Sequence, residues 1–223
     1  MPLHGTKGTN VTDINMVEHL KVDRYGDFWL TDAIRPAQEL TVVPREGYRV
    51  DVYRDPAAKF SVPVLAASIS REKLFDVFLD LLDPLGEVVD VVMETSHDST
   101  AGNDHLDLFR EAMDLPVLKS HCCDYENLLL NDGCTGIAVM STEGPMEVQF
   151  DEHKLLVIYA ADLKPFEAVM QEHGIVRHDA MKLITEAEHL HSTDDTHRAA
   201  FEEMCYRLGV GKAFERVGSG GDW

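Results

Sequence analysis

"SVPVLAASISREKLFDVFLDLLDPLGEVVDVVME", residues 61–94, decides the fold class. Its two ends, "SVPVLAASI" (61–69) and "EVVDVVME" (87–94), are short runs rich in Val, Ile and Leu, which suit buried strands. Between them Leu74, Phe75, Phe78, Leu81 and Leu82 recur at helical spacing, while Arg71, Glu72, Asp76 and Asp80 point elsewhere. Ser70 opens this helix without the acidic partner of a capping box, and "DPLG" closes it, because proline breaks the hydrogen-bond ladder and glycine accepts unusual backbone angles. A strand, a helix and a strand in this order imply a crossover joining two strands of one sheet, most simply a right-handed one.

Working outward, "TGIAVMS", "PMEVQFD" and "HKLLVIYA" follow one another through "TEG" and "DEH". Connections this short allow only adjacent antiparallel strands, since a parallel return needs a dozen or more residues. Before the opening stretch, "FWLT" (28–31), "QELTVV" (38–43) and "YRVDVYR" (48–54) read as short antiparallel strands separated by Pro36 and "PREG". Helices are expected over 105–114, 121–133, 162–174 and 179–190, with "LPVLKS" extended or turning. Asp162 and Gly174 are the expected cap and stop of the third, and Cys122 or Cys123 is expected to face the core in the second. Ser192 with Asp195 resembles a capping box for a last helix, 193–208, in which His197, Phe201, Met204, Cys205 and Leu208 share a face before Gly209.

The fold expected is therefore α+β: a mixed, mostly antiparallel sheet of about six to eight strands with helices packed on at least one face. A ferredoxin-like sub-architecture is compatible with 61–160, where two strand-helix-strand arrangements can be traced. The chain divides into an N-terminal arm (1–22), one α+β domain (23–212) and a flexible C-terminal tail (213–223).

The 223 residues carry a net charge of −20, and thirty-one of the forty acidic residues fall in 61–223. Such a field repels phosphate backbones, and no basic patch offsets it, which argues against nucleic acid as a partner. A basic protein partner, a cation or a salty habitat suits the charge better. No apolar run approaches the roughly 18 residues of a membrane span, and the start lacks the basic and apolar regions of a secretory signal. The four cysteines form no C-x-x-C pair, which agrees with a reducing compartment. The expectation is a soluble cytoplasmic protein.

Candidate chemistry gathers in two bends. In the first, His97, Asp98, Asp104 and His105 follow a strand, and imidazoles with carboxylates bind zinc, iron or manganese. Ser99, Thr100, Gly102 and Asn103 are turn formers, and Asp98 or Asp104 equally suits a helix cap. In the second, His189 and His191 precede Asp194, Asp195 and His197. This run superficially resembles the metal motif of metallo-β-lactamase-type hydrolases over about ten residues. It departs from that motif in an aspartate one position too late, in its place between helices rather than after a strand, and in its nearness to the chain's end. Membership of that family is therefore not inferred. Asp194 and Asp195 are equally the residues that begin a helix and complement its dipole. A third group, His121 with Cys122 and Cys123, offers a thiolate near a helix start. His153, His173 and His178 read as single histidines at turns.

Two functional readings result. The first is a soluble acidic module that binds a small ligand or a protein partner without catalysis, as a homo-oligomer in one version. The alternative is a divalent-metal-dependent hydrolase using some of His97, Asp98, His105, His189 and His191, with zinc, iron or manganese activating water.

Overall fold

Both apolar runs of 61–94 are strands and the segment between them is helix. The structure is a computed structural model that describes residues 19–55, 60–97 and 106–212. Along the chain come β1 (Arg24–Tyr25), β2 (Phe28–Trp29), β3 (Ile34–Pro36), β4 (Gly47–Asp55), β5 (Phe60–Ser68), α1 (Arg71–Leu81) and β6 (Val88–Thr95). Then follow β7 (Leu106–Asp114), α2 (Leu115–Asp124), α3 (Glu126–Asn131), β8 (Thr135–Ser141), β9 (Met146–Phe150) and β10 (Leu155–Ala160). The last elements among the described residues are α4 (Lys164–Glu172), β11 (His189–His191), α5 (Asp195–Leu208) and β12 (Gly211–Lys212).

Among the described residues eight strands form one sheet in the order β12-β7-β6-β8-β9-β10-β5-β4, and every neighbouring pair is antiparallel. Counting the alternation across β8, β9 and β10 leaves β5 and β6 parallel, in one sheet as expected, but three strands apart. The β8–β9–β10 meander fills that gap. Two ribbons, β1 with β2 and β3 with β11, lie outside the sheet.

The helices cover one sheet face. Leu65, Ile158, Val148, Val139 and Val91 form one row across β5, β10, β9, β8 and β6, all at 0 % exposure, and they share a core with Leu74, Phe78, Phe166 and Phe201. Phe78 of α1 and Phe150 of β9 meet at 5.1 Å between ring centres. Each such side chain contributes roughly 1.5–3 kcal/mol on burial. On the opposite face, Met181 and Leu183 pack against Leu155, Ala66 and Val157. Among the described residues no helix is long and apolar enough to cross a membrane.

Several local expectations are overturned. Residues 106–114 are strand, not helix: β7 pairs with β6 through a bulge between Val89 and Val91. There Ala112 takes a left-handed φ of 53°, and its N–H donates to Asp90 Oδ1 at 2.8 Å. The bulge breaks the two-residue alternation and leaves apolar positions that mimic a helical stripe. "LPVLKS" begins α2, because Pro116 stands in the first turn, where its missing N–H costs nothing. Within the segment 121–133 α2 ends at Asp124 and α3 begins at Glu126. "QELTVV" forms no strand. Residues 179–190 hold a single 3-10 turn (Ile184–Glu186) and the start of β11 instead of a helix. Arg49 draws that segment onto β4 through Met181 O (2.9 Å) and the Glu186 carboxylate. The arm 1–18, the tail 213–223 and the loop 98–105 lie outside the described residues.

Candidate metal centre

At one end of the sheet β6 stops and β8 and β10 begin, with Thr95 opposite Thr135. The β9–β10 turn supplies His153. Its Asp151 carboxylate accepts from Leu155 N–H at 2.8 Å with one oxygen and from His153 Nδ1–H at 3.0 Å with the other, so one side chain shapes the turn and aims the ring. The next residue, Lys154, has a left-handed φ of 60° and buries its ammonium, which donates to Thr135 O at 2.8 Å. Burial drives the Lys154 pKa down to about 8, against the pull of Asp151, Asp132, Glu152 and Cys134.

The strand β11 supplies two further imidazoles. His189 and His191 pair with Pro36 and Ile34 of β3, and residues two apart on a strand share a side. His189 Nδ1–H donates to Ala187 O at 2.8 Å, and His191 Nδ1–H donates to Gly133 O. The three rings converge: His153 lies 4.9 Å from His189 and 4.8 Å from His191 between centres, and His189 lies 5.2 Å from His191. One nitrogen of each lies within 4.8 Å of those of the other two. Because each Nδ1 is committed to an oxygen acceptor, Nε2 carries the lone pair of each neutral ring. Burial opposes charge on His153, but the Asp151 carboxylate outweighs it and raises the pKa. Burial lowers that of His191, and His153 and His189 push in the same direction, against the Gly133 carbonyl.

Protein-family models, curated proteins and solved structures offer no match to this chain.

A second cluster lies across the Gly133 peptide and unites His97, Asp132 and Cys134. His97 sits just beyond β6, its Nδ1 2.7 Å from Thr95 Oγ1 and its Nε2 3.0 Å from Asp132 Oδ2. The Asp132 side chain is fully buried and also accepts from Thr135 Oγ1. Burial would raise its pKa, yet hydrogen bonds from His97, Thr135 and Thr193 hold it at about 2. His97 Nε2 also lies 3.2 Å from Thr193 Oγ1, and its ring meets Phe201 at 5.6 Å. The His97 bend and the segment leading from β11 into α5 therefore adjoin.

Gly133 stitches these parts together. Its N–H donates to Ser192 O and Ser192 N–H donates to Ala33 O, both at 2.8 Å. A Cβ on Gly133 would press into Ala33 O and stand 2.9 Å from both Ser192 N and Ser192 O. Only glycine lets these three backbones approach so closely.

Of the residues expected from sequence, His97 joins Asp132 and Cys134, and His189 and His191 join His153. Asp98, Asp104 and His105 lie outside the described residues. Asp194 caps α5 by accepting from His197 N–H at 2.9 Å, replacing the expected Ser192 cap. That bond accounts for the late aspartate of the His-x-His run. His153, expected as an isolated turn residue, belongs to the triple cluster. "DEHK" between two strands was its signal, a histidine two residues after an aspartate able to orient it. Asp132 and Cys134 were missed, and their signal was two polar, ligand-type residues at the head of a buried strand. Cys122 faces the core, where burial pushes its pKa up to about 12, and Cys123 is exposed.

Proposed function

We propose that this chain is a divalent-metal-dependent hydrolase whose ion is held by His153, His189 and His191, with water completing the coordination. The observation that carries this reading is the fixing of all three rings through Nδ1, by a carboxylate and two backbone carbonyls. Metal-bound histidines are held in this way, which sets the tautomer and raises ligand basicity. Three nitrogen ligands suit zinc, whose bonds of about 2.0–2.1 Å leave a fourth position open to water. Such an ion lowers the pKa of its water to about 7 and so makes hydroxide near neutral pH.

Beside His153 a cavity of about 180 Å³ is lined by Glu94, Gly136, Asp151 and Glu152. Its acidic wall favours a neutral or cationic ester or amide over a phosphate-bearing substrate. Glu152, which accepts from Ser96 Oγ at 2.8 Å, is the carboxylate to receive the water proton. The test is elemental analysis of zinc-loaded protein purified without an affinity tag, followed by a panel of neutral and cationic esters and amides. His153→Ala, His189→Ala and His191→Ala each lose one ion per chain relative to wild type. Glu152→Gln retains the ion and loses about 10²–10⁴ in kcat. Unchanged metal content in the triple alanine variant refutes the centre. A loaded protein inert towards the whole panel returns the chain to a non-catalytic binding module.

A further inference from the structure

We propose that His97, Asp132 and Cys134 form a second cation site, separate from the three-histidine centre and selective for a soft divalent ion such as zinc or cadmium. One imidazole, one carboxylate and one thiol bring their donor atoms within 4.8 Å of one another. Thiolate ligands select soft ions, and a mixed sulfur, nitrogen and oxygen set is a zinc-type set. The site is built into the fold. The side chain of Asp132 is 0 % exposed and that of His97 is 6 %. Thr95 Oγ1 engages His97 Nδ1, which directs Nε2 towards Asp132, and Thr135 Oγ1 donates to the Asp132 oxygen that faces this ring. These outer contacts do for His97 and Asp132 what Asp151 does for His153.

The hydrogen bonding points the same way. Two threonine hydroxyls, a backbone N–H and His97 all hydrogen-bond to the Asp132 carboxylate, which is thereby fixed beside the His97 ring and the Cys134 thiol. An ion bound between the three would meet a preformed oxygen ligand, and the thiol proton would leave to solvent as the metal–sulfur bond forms. Because Asp132 and Cys134 flank Gly133, whose carbonyl holds His191, the two sites share one loop while drawing on different donors.

Cobalt(II) loading of the metal-free full chain tests this site independently of the hydrolytic reading. Wild type is expected to show a sulfur-to-cobalt charge-transfer band in the near ultraviolet. Cys134→Ser loses that band and one ion per chain, whereas His189→Ala keeps the band. A measurement on wild type alone guards against misfolding of the variant: zinc slows alkylation of Cys134 by about tenfold or more, read by mass spectrometry of the labelled peptide. Absence of the band from cobalt-loaded wild type, or alkylation of Cys134 indifferent to zinc, overturns the proposal. Either result leaves the three-histidine centre to stand or fall on its own alanine variants.

Discussion

Gly133→Ala is the most informative single substitution. The added methyl carbon stands 2.9 Å from Ser192 N and O and presses into Ala33 O, all backbone atoms that cannot rotate away. Restoring ordinary contact of about 3.4 Å parts the backbones by roughly 0.5 Å or more, and such overpacking costs about 1–3 kcal/mol. The same movement stretches the two 2.8 Å hydrogen bonds that join Gly133 to Ser192 and Ser192 to Ala33. Each is worth about 0.5–1.5 kcal/mol net, so the total loss is about 2–6 kcal/mol. Urea unfolding of the metal-free protein measures it as a lower midpoint with an unchanged slope. Gly144→Ala is the control, since nothing lies within 4 Å of its added carbon. The variant also shifts the carbonyl that fixes His191, so its metal affinity falls. If Gly133→Ala unfolds within about 0.5 kcal/mol of Gly144→Ala, the close approach of the three backbones is wrong, and with it the link between the two clusters.

Two further outcomes are expected. Asp151→Asn removes the charge that orients His153 while retaining an acceptor, and weakens zinc binding by about 10–100-fold in a calorimetric titration; unchanged affinity would remove Asp151 from the centre. The folded-state pKa of Cys122 is raised, so its thiol stays protonated from neutral pH up to about 12, and its burial excludes reagents. Iodoacetamide at pH 8 therefore labels Cys123 in the native protein and Cys122 only after unfolding, and early labelling of Cys122 would place it outside the core.

The parts of the fold that were legible in the sequence have local signals that survive intact. The meander 135–160 is three apolar runs joined by turns too short for anything but antiparallel pairing, and the helix 71–81 keeps one apolar face, so local pattern and tertiary placement agree. Where a long-range partner intervened, the pattern misled. The Asp90–Ala112 bond bends β7 into a false helical stripe, and Arg49 pins 181–186 to a distant strand. The site divided in the same manner. His97, His189 and His191 stand out because two histidine-bearing bends are unusual, and each needed donors from elsewhere in the chain. Asp132 and Cys134 share one short polar step between elements and His153 belongs to another, and each step is ordinary by itself. Spacing along the chain carries no information about a meeting made by sheet order.

That sheet order dictates when the centre comes into being. Because β5 and β6 are made before the meander that separates them, β5 can pair with β10 and β6 with β8 only after those later segments exist, by pairings between distant segments. Such non-local closure is slow. His97 and Asp132 meet through the β6–β8 pairing alone, whereas His153 meets His189 only once the β9–β10 turn and the β3–β11 ribbon are both in place. An ion bound as proposed would enter a chain whose architecture is already committed, and would seal the fold without having guided it.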